Sequence, residues 1–216
     1  MFTRLKICGI TTVTDALMCV EMGVDLLGFN FYPGSPRFIA MHTARDIIQQ
    51  IPFWTKSVGI LVRPKLQQVK EVIQKSEVNA IQIYQPVDFD NFNDINIPVF
   101  AAFSINDINS IQTYQFKEVD MILLDNSTKN ASGGTGETFN WAQIPADLAR
   151  EKMILAGGIN PQNIKHALQQ VNPAIIDVAS GSENYPGKKD RKKVNDLVQN
   201  VLKHNLNNLK SLNLKS

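Results

Sequence analysis

Short apolar runs recur along the chain at residues 5–8, 26–31, 58–62, 80–84, 99–103, 121–124, 153–156 and 175–179. Most are rich in β-branched or aromatic side chains and lack strict alternation, the pattern of strands buried on both faces. Antiparallel sandwich strands would more often alternate apolar with polar. Between most of the runs lies a helical stripe. Val13, Ala16, Leu17 and Val20 share a face behind Thr11 or Thr12 as N-cap, with Gly23 as the stop. Ala44, Ile47, Ile48 and Ile51 repeat the pattern up to Pro52, and Leu66, Val69, Val72 and Ile73 form a third stripe. Ile108 and Ile111 begin a weaker one after Asn106. Asn160 reads as an N-cap with Pro161 at the first helical position, ahead of Ile164, Ala167, Leu168 and Val171. The last stripe is Val194, Leu197, Val198, Val201 and Leu202. Segments 86–96 and 139–149 carry weaker signals.

Strand–helix units of about 25 residues each predict an α/β chain with a parallel sheet. An open doubly wound sheet and a closed barrel compete. Eight units without a linker or composition break favour a single-domain (β/α)8 TIM barrel over residues 1–203, compact for that architecture at about 200 residues. Residues 204–216 are a tail. Leu202, Leu206, Leu209 and Leu212 either extend the last helix along one stripe or belong to a frayed terminus.

Composition adds exclusions. With 44% hydrophobic and 19% charged residues, the chain can bury a core and is not disordered. Lys and Arg number 22 against 20 Asp and Glu, so a net charge of +2 offers no electrostatic case for nucleic acid. Cys8 and Cys19 make neither a disulfide framework nor a zinc spacing. The opening residues lack the apolar core of a signal peptide, and no stretch suits a membrane helix. The expected location is the cytoplasm.

In either parallel architecture, chemistry collects at the C-terminal ends of the strands. Those ends carry Cys8-Gly9, Asn30, Gln82-Ile83-Tyr84, Asp125-Asn126, Gly157-Gly158 and Ser180-Gly181. The last two pairs follow consecutive strands, where barrel enzymes often hold a phosphate on backbone N–H groups. Ser132-Gly133-Gly134-Thr135-Gly136 has Glu137 where a nucleotide-binding P-loop needs lysine, so a flap over a ligand is the better reading. A cysteine ending an apolar strand, such as Cys8, is usually a small buried hydrophobe. Asp125 is harder to dismiss, because a carboxylate ending a buried strand needs a partner or a task. Arg37, on a proline-stiffened loop, is either a solvated charge or a carboxylate clamp. His42, His166 and His204 fall on helices or the tail, which leaves no histidine-based nucleophile and no metal cluster.

Taken together these motifs resemble the phosphoribosylanthranilate isomerase family of (β/α)8 enzymes in tryptophan biosynthesis. The matching residues are Lys6-Ile7-Cys8-Gly9-Ile10-Thr11, Gly28-Phe29-Asn30-Phe31-Tyr32-Pro33 and Ser35-Pro36-Arg37. They continue with Leu123-Leu124-Asp125, Gly133 to Gly136, Leu155-Ala156-Gly157-Gly158, Asp177-Val178, Ser180-Gly181, Glu183 and Pro186 to Asp190. They stand in the family's order over about residues 3–202. The resemblance implies an Amadori rearrangement of a phosphorylated small-molecule substrate, an aldose–ketose isomerisation with no cofactor and no metal, in a monomer or homodimer. It implies Asp125 as acid, Cys8 as base, Arg37 on the anthranilate carboxylate, and Gly157, Gly158, Ser180 and Gly181 on the phosphate. Gln82 is expected to contact substrate. A carboxyl on an apolar barrel floor can hold a proton to donate, whereas a thiol needs positive potential to act as a base. Lys6 shares the side of its strand with Cys8, either one layer deeper or reaching the barrel bottom.

Some positions depart from the family. Its strand-4 end usually reads Gln-Leu-His-Gly, and here it is Gln82-Ile83-Tyr84-Gln85. Glu137 replaces the usual lysine of the flap, Asn140 the usual aspartate, and Ala179 and Ser182 alter the usual Ser-Ser-Gly-Val. These leave two alternatives, a related barrel acting on another phosphosugar and a non-catalytic relic.

Overall fold

The computed structural model of the chain describes residues 1–84, 94–105, 120–126, 140–145 and 148–213. The stripe that begins at Ile108, Gln85, and the flap residues Gly133, Gly134, Thr135, Gly136 and Glu137 lie outside the described residues.

All eight apolar runs are strands, with ends within two residues of those expected: β1 (Arg4–Cys8), β2 (Leu26–Asn30), β3 (Lys56–Val62), β4 (Ala80–Tyr84), β5 (Val99–Ser104), β6 (Met121–Asp125), β7 (Met153–Leu155) and β8 (Ile175–Val178). They close in sequence order into one parallel barrel. β8 returns to β1 with Lys6 opposite Asp177 and Ile7 opposite Val178, which rules out the open sheet.

Closure explains why the strands read as unbroken apolar runs. Leu5, Ile7, Leu27, Phe29, Ile81, Ile83, Ile122, Leu124, Ile176 and Val178 face outward and pack under the helices. Leu26, Val58, Ala80, Phe100, Ala102, Leu123, Ile154 and Ile175 fill the barrel interior. A period of two is present, but both faces are dry, so hydropathy does not reveal it. The interior has a polar exception midway up: Lys6, Gln82 and Asp177 are buried.

The helices are α1 (Val13–Glu21), α2 (Met41–Ile48), α3 (Leu66–Ser76), α4 (Ile164–Val171) and α5 (Arg191–Asn213). Thr12, rather than Thr11, caps α1, its side chain accepting the Asp15 N–H at 3.2 Å. Asn160 does not cap α4 directly. Its side-chain oxygen accepts the N–H groups of Gln162 and Asn163, stabilising a turn, and the helix starts four residues later at Ile164. α5 runs on through the tail to Asn213. Asn205 fastens this extension to the other end of the chain, accepting the Thr3 N–H and donating to the Thr3 carbonyl, each at 2.9 Å. A short antiparallel hairpin, β9 (Glu183–Tyr185) and β10 (Lys188–Lys189), follows β8 and was not expected from the hydropathy pattern. Among the described residues, no helix is long and apolar enough to cross a membrane.

Candidate active site

Strand alternation sets the site in two tiers. The lower holds Lys6 from β1, Gln82 from β4 and Asp177 from β8; two residues further along their strands stand Cys8 and Tyr84, with Asp125 at the end of β6. Every one of these side chains shares a face with interior apolar residues.

The lower tier resolves where Lys6 goes. Its ammonium donates to Asp177 Oδ2 at 2.7 Å and to Gln82 Oε1 at 2.8 Å, so it stays in the barrel centre and does not reach the bottom. Burial alone would lower its pKa, but Asp177, Cys8 and Asp125 outweigh burial and raise it. Gln82 is thus spent on Lys6 through its oxygen, while its Nε2 and Asp177 Oδ1 have no hydrogen-bond partner among the described residues.

In the upper tier, Asp125 is 4% exposed and its Oδ2 accepts the Tyr84 hydroxyl at 3.0 Å. Burial pushes the Asp125 carboxyl above the usual carboxylate range. The Tyr84 hydroxyl and the Asn126 amide pull against that shift, and Asp177 adds to it. A proton held on a buried carboxyl is what a general acid needs. Cys8 is half-buried at the end of β1. Burial raises its thiol pKa, Asp177 adds to the rise, and Lys6, Lys189 and Arg37 oppose it. Three cationic side chains thus supply positive potential at the sulfur. That potential does not overcome burial, and the thiol stays above its ordinary range. Cys19, buried in α1, is pushed up to about 12 by burial and takes no part.

Arg37 is not solvated. It clamps a carboxylate of its own chain: Nε lies 2.9 and 3.1 Å from the two oxygens of Glu183, and Nη2 lies 2.8 Å from Oε2. Lys189 shares Glu183 at 2.8 Å and donates to the Cys8 carbonyl, which ties the hairpin to the end of β1. Burial pulls the Glu183 pKa up, but Arg37 and Lys189 hold it below the usual range. Asp15 in α1 anchors the same hairpin through the Lys188 ammonium and the Lys189 N–H. Glu183, Lys189, Tyr84 and the Lys6–Asp177 pair were not singled out as functional by hydropathy and spacing. For Lys6 and Asp177 the available signal was a charged residue just below the end of an apolar strand, and for Tyr84 its place at a strand end; hydropathy and spacing offered none for Glu183 and Lys189.

The glycine loops after β7 and β8 meet. A Cβ at Gly181 would stand 2.0 Å from the carbonyl oxygen of Ile159, so this approach admits only glycine. Asn160 and Asn163 donate side-chain amides to the Gly158 carbonyl, at 3.2 and 2.8 Å, and fix the first loop. Ser180 to Ser182 form a 3-10 turn, with the Ser182 hydroxyl on the Ala179 carbonyl. The structure thus places Cys8, Arg37, Asp125, Gly157, Gly158, Ser180 and Gly181 at one end of the barrel, and Gln82 one tier below.

Known proteins resemble the chain in sequence and in fold. The family model described as N-(5'phosphoribosyl)anthranilate (PRA) isomerase matches residues 5–200. The N-(5'-phosphoribosyl)anthranilate isomerase of Geobacter metallireducens is 38% identical over 198 residues, covering 91% of this chain and 97% of that protein. The crystal structure of phosphoribosyl anthranilate isomerase from Thermotoga maritima superposes with a TM-score of 0.85 at 35% identity, over 94% of this chain and 100% of that one. A phosphoribosyl anthranilate isomerase in complex with reduced 1-(o-carboxyphenylamino)-1-deoxyribulose 5-phosphate gives 0.81 at 33% identity, again over 94% and 100%. A closed eight-stranded barrel, a cysteine and a buried carboxyl at its mouth, and a match spanning nearly every residue lead to one conclusion: the chain belongs to the phosphoribosylanthranilate isomerase family.

Proposed function

We infer that this chain carries out the Amadori rearrangement of N-(5-phosphoribosyl)anthranilate to 1-(2-carboxyphenylamino)-1-deoxyribulose 5-phosphate, an aldose–ketose isomerisation in tryptophan biosynthesis. One observation carries the reading: in a chain that matches the family across residues 5–200, an inward-facing sulfur and a buried carboxyl end β1 and β6. Asp125 is the acid. Its carboxyl gives a proton to the furanose ring oxygen, the C1–O bond breaks toward that oxygen, and the nitrogen lone pair closes an iminium at C1. Cys8 acts from its ionised form, having first released its own proton to solvent, and the thiolate takes the proton from C2. The C–H electrons flow to form the enolamine, which becomes the ketone by gaining a proton at C1 and losing one from the C2 hydroxyl. No atom is gained or lost overall, so the scheme needs no metal or organic cofactor.

The other assignments follow from charge. Glu183 takes Nε and Nη2 of Arg37, which orients the remaining Nη1 edge toward the anthranilate carboxylate. Lys6, Arg37 and Lys189 are paired with carboxylates, so the backbone N–H groups of the Gly157-Gly158 and Ser180-Gly181 loops receive the phosphate. Gln82 Nε2 and Asp177 Oδ1, both without partners among the described residues, serve the sugar hydroxyls from below. All of these groups belong to one chain, so the chemistry runs alike in a monomer or in each half of a homodimer.

Substrate generated in place from anthranilate and phosphoribosyl pyrophosphate provides the test, read as loss of aminobenzoate fluorescence. Cys8→Ser and Asp125→Asn should each lower kcat at least about 100-fold, the usual scale for a positioned acid or base. Full turnover in either variant would refute its assigned role.

A further inference from the structure

The family's strand-4 histidine is a tyrosine in this chain, and its hydroxyl lands on the proposed acid. The path from β4 to β6 crosses β5, where Tyr84 is paired with Ala102, and Ala102 in turn with Leu123. A methyl group at position 102 leaves the ring room to lie across the interior, packed on that apolar layer. Its hydroxyl then reaches Asp125 Oδ2 at 3.0 Å. The other carboxyl oxygen faces Gly157, where a Cβ would stand only 3.0 Å from Oδ1; glycine keeps that side of the carboxyl clear. The groups facing Asp125 are Tyr84 from β4, Lys6 from β1, Asp177 from β8 and the adjacent Asn126 amide. Burial, then Asp125, Asp177 and Cys8, hold the Tyr84 hydroxyl well above its ordinary pKa of 10.0. It is therefore an O–H donor over the whole range in which a carboxyl ionises.

We propose that Tyr84 is a positioning residue for the acid: by donating to Oδ2 it fixes the rotation of the Asp125 carboxyl, so that Oδ1 carries the proton to the substrate. After transfer, the negative charge left on Asp125 keeps the same hydrogen bond, now strengthened by that charge. This rests on Asp125 being the acid. On these terms the strand-4 substitution is a local solution to holding the acid, and it counts against a decayed site.

Two measurements on the full chain test the assignment. The first is pH-difference infrared spectroscopy of the substrate-free protein, following the protonated-carboxyl band that Asp125→Asn removes. The second is steady-state turnover of substrate made in place. In Tyr84→Phe the band's midpoint should move to higher pH, because the hydrogen bond favouring the ionised form is gone. In the same variant kcat should fall about tenfold while KM stays within about twofold, as expected when a reacting group loses its orientation. Tyr84→Met removes the hydroxyl with a different shape and should move both readouts the same way, which covers the case of a misfolded phenylalanine variant. An unmoved midpoint, or a loss of activity confined to KM, overturns the proposal. Full turnover in Asp125→Asn overturns the acid assignment itself, and is recognised separately from either result.

Discussion

Glu183 lies between two buried cations, and neither has the water that would otherwise solvate it. Its side chain is 3% exposed, Arg37 holds it through three N–O contacts, and Lys189 holds it through a fourth. Glu183→Gln removes the charge but keeps the shape, leaving an amide N–H₂ directed at a donor and two cations without a counterion. Breaking a buried pair from one side costs about 3–5 kcal/mol, and urea unfolding at neutral pH should show a loss of that size. The pH dependence has a definite sign. A carboxyl whose folded pKa lies below its ordinary 4.5 stabilises the protein above that value and loses its contribution as pH falls through the folded one. The gap between the parent and the variant should therefore close as unfolding is repeated at lower pH; a gap that stays constant into acid would refute it. Residues of this kind were the least legible in the sequence. Asp125 stood out because a carboxylate ended an apolar strand, whereas Cys8 alone read as a buried hydrophobe and gained its role from the family resemblance. The pairs Lys6–Asp177 and Arg37–Glu183 join positions 171 and 146 residues apart, and only closure of β8 onto β1 and the fold of the hairpin bring them together. Tyr84 was legible only as a departure, since its partner lies two strands away.

Secondary structure elements fared better, for a reason that also marks their weak points. A strand buried on both faces announces itself by composition alone, so all eight were visible, and α1, α2, α3, α4 and α5 each showed an apolar stripe. Boundaries governed by side-chain-to-backbone bonds were displaced: Asn160 looks like a helix cap and instead shapes the turn before α4. The β9–β10 hairpin is too short to carry a hydropathy pattern, being three residues against two, and it exists because Asp15, Thr11 and Glu183 hold it. The glycine loops show the same dependence on neighbours. Gly181→Ala would drive a methyl into the Ile159 carbonyl, which is backbone and cannot swing aside. The loops after β7 and β8 must then part. The expected result is a loss of about 1–3 kcal/mol, the usual cost of overpacking, together with at least about a tenfold rise in KM if these loops bind the phosphate. Unchanged KM in a folded Gly181→Ala protein would remove the phosphate from this place.

Across the whole molecule, the site that makes the barrel an enzyme also weakens it. A carboxyl whose folded pKa is raised above its ordinary 3.8 binds its proton more tightly in the native state than in the unfolded one. Between those two values the native state carries more protons, so stability falls as pH rises, and above the folded value the loss is complete and constant. Above pH 3.8 the parent protein therefore bears the cost of a carboxyl that ionises less readily folded than unfolded, a cost softened by Tyr84 and by the Lys6 charge. Asp125→Asn removes that cost and keeps an oxygen to accept the Tyr84 hydroxyl. The variant should be inactive and yet more stable at pH 7, by about 0.5–2 kcal/mol, the usual return from relieving a functional site. The advantage should be absent below pH 3.8, grow as pH rises from there to the folded value, and stay level above it. Glu183 tilts the acid end of the curve the opposite way, so the two contributions separate in a series of urea unfolding curves comparing the parent with each single variant. An Asp125→Asn protein less stable than its parent at neutral pH would mean that the carboxylate, held by Tyr84 and the Asn126 amide, is at home in the barrel mouth. The acid would then lack the raised proton affinity on which the ring-opening step depends.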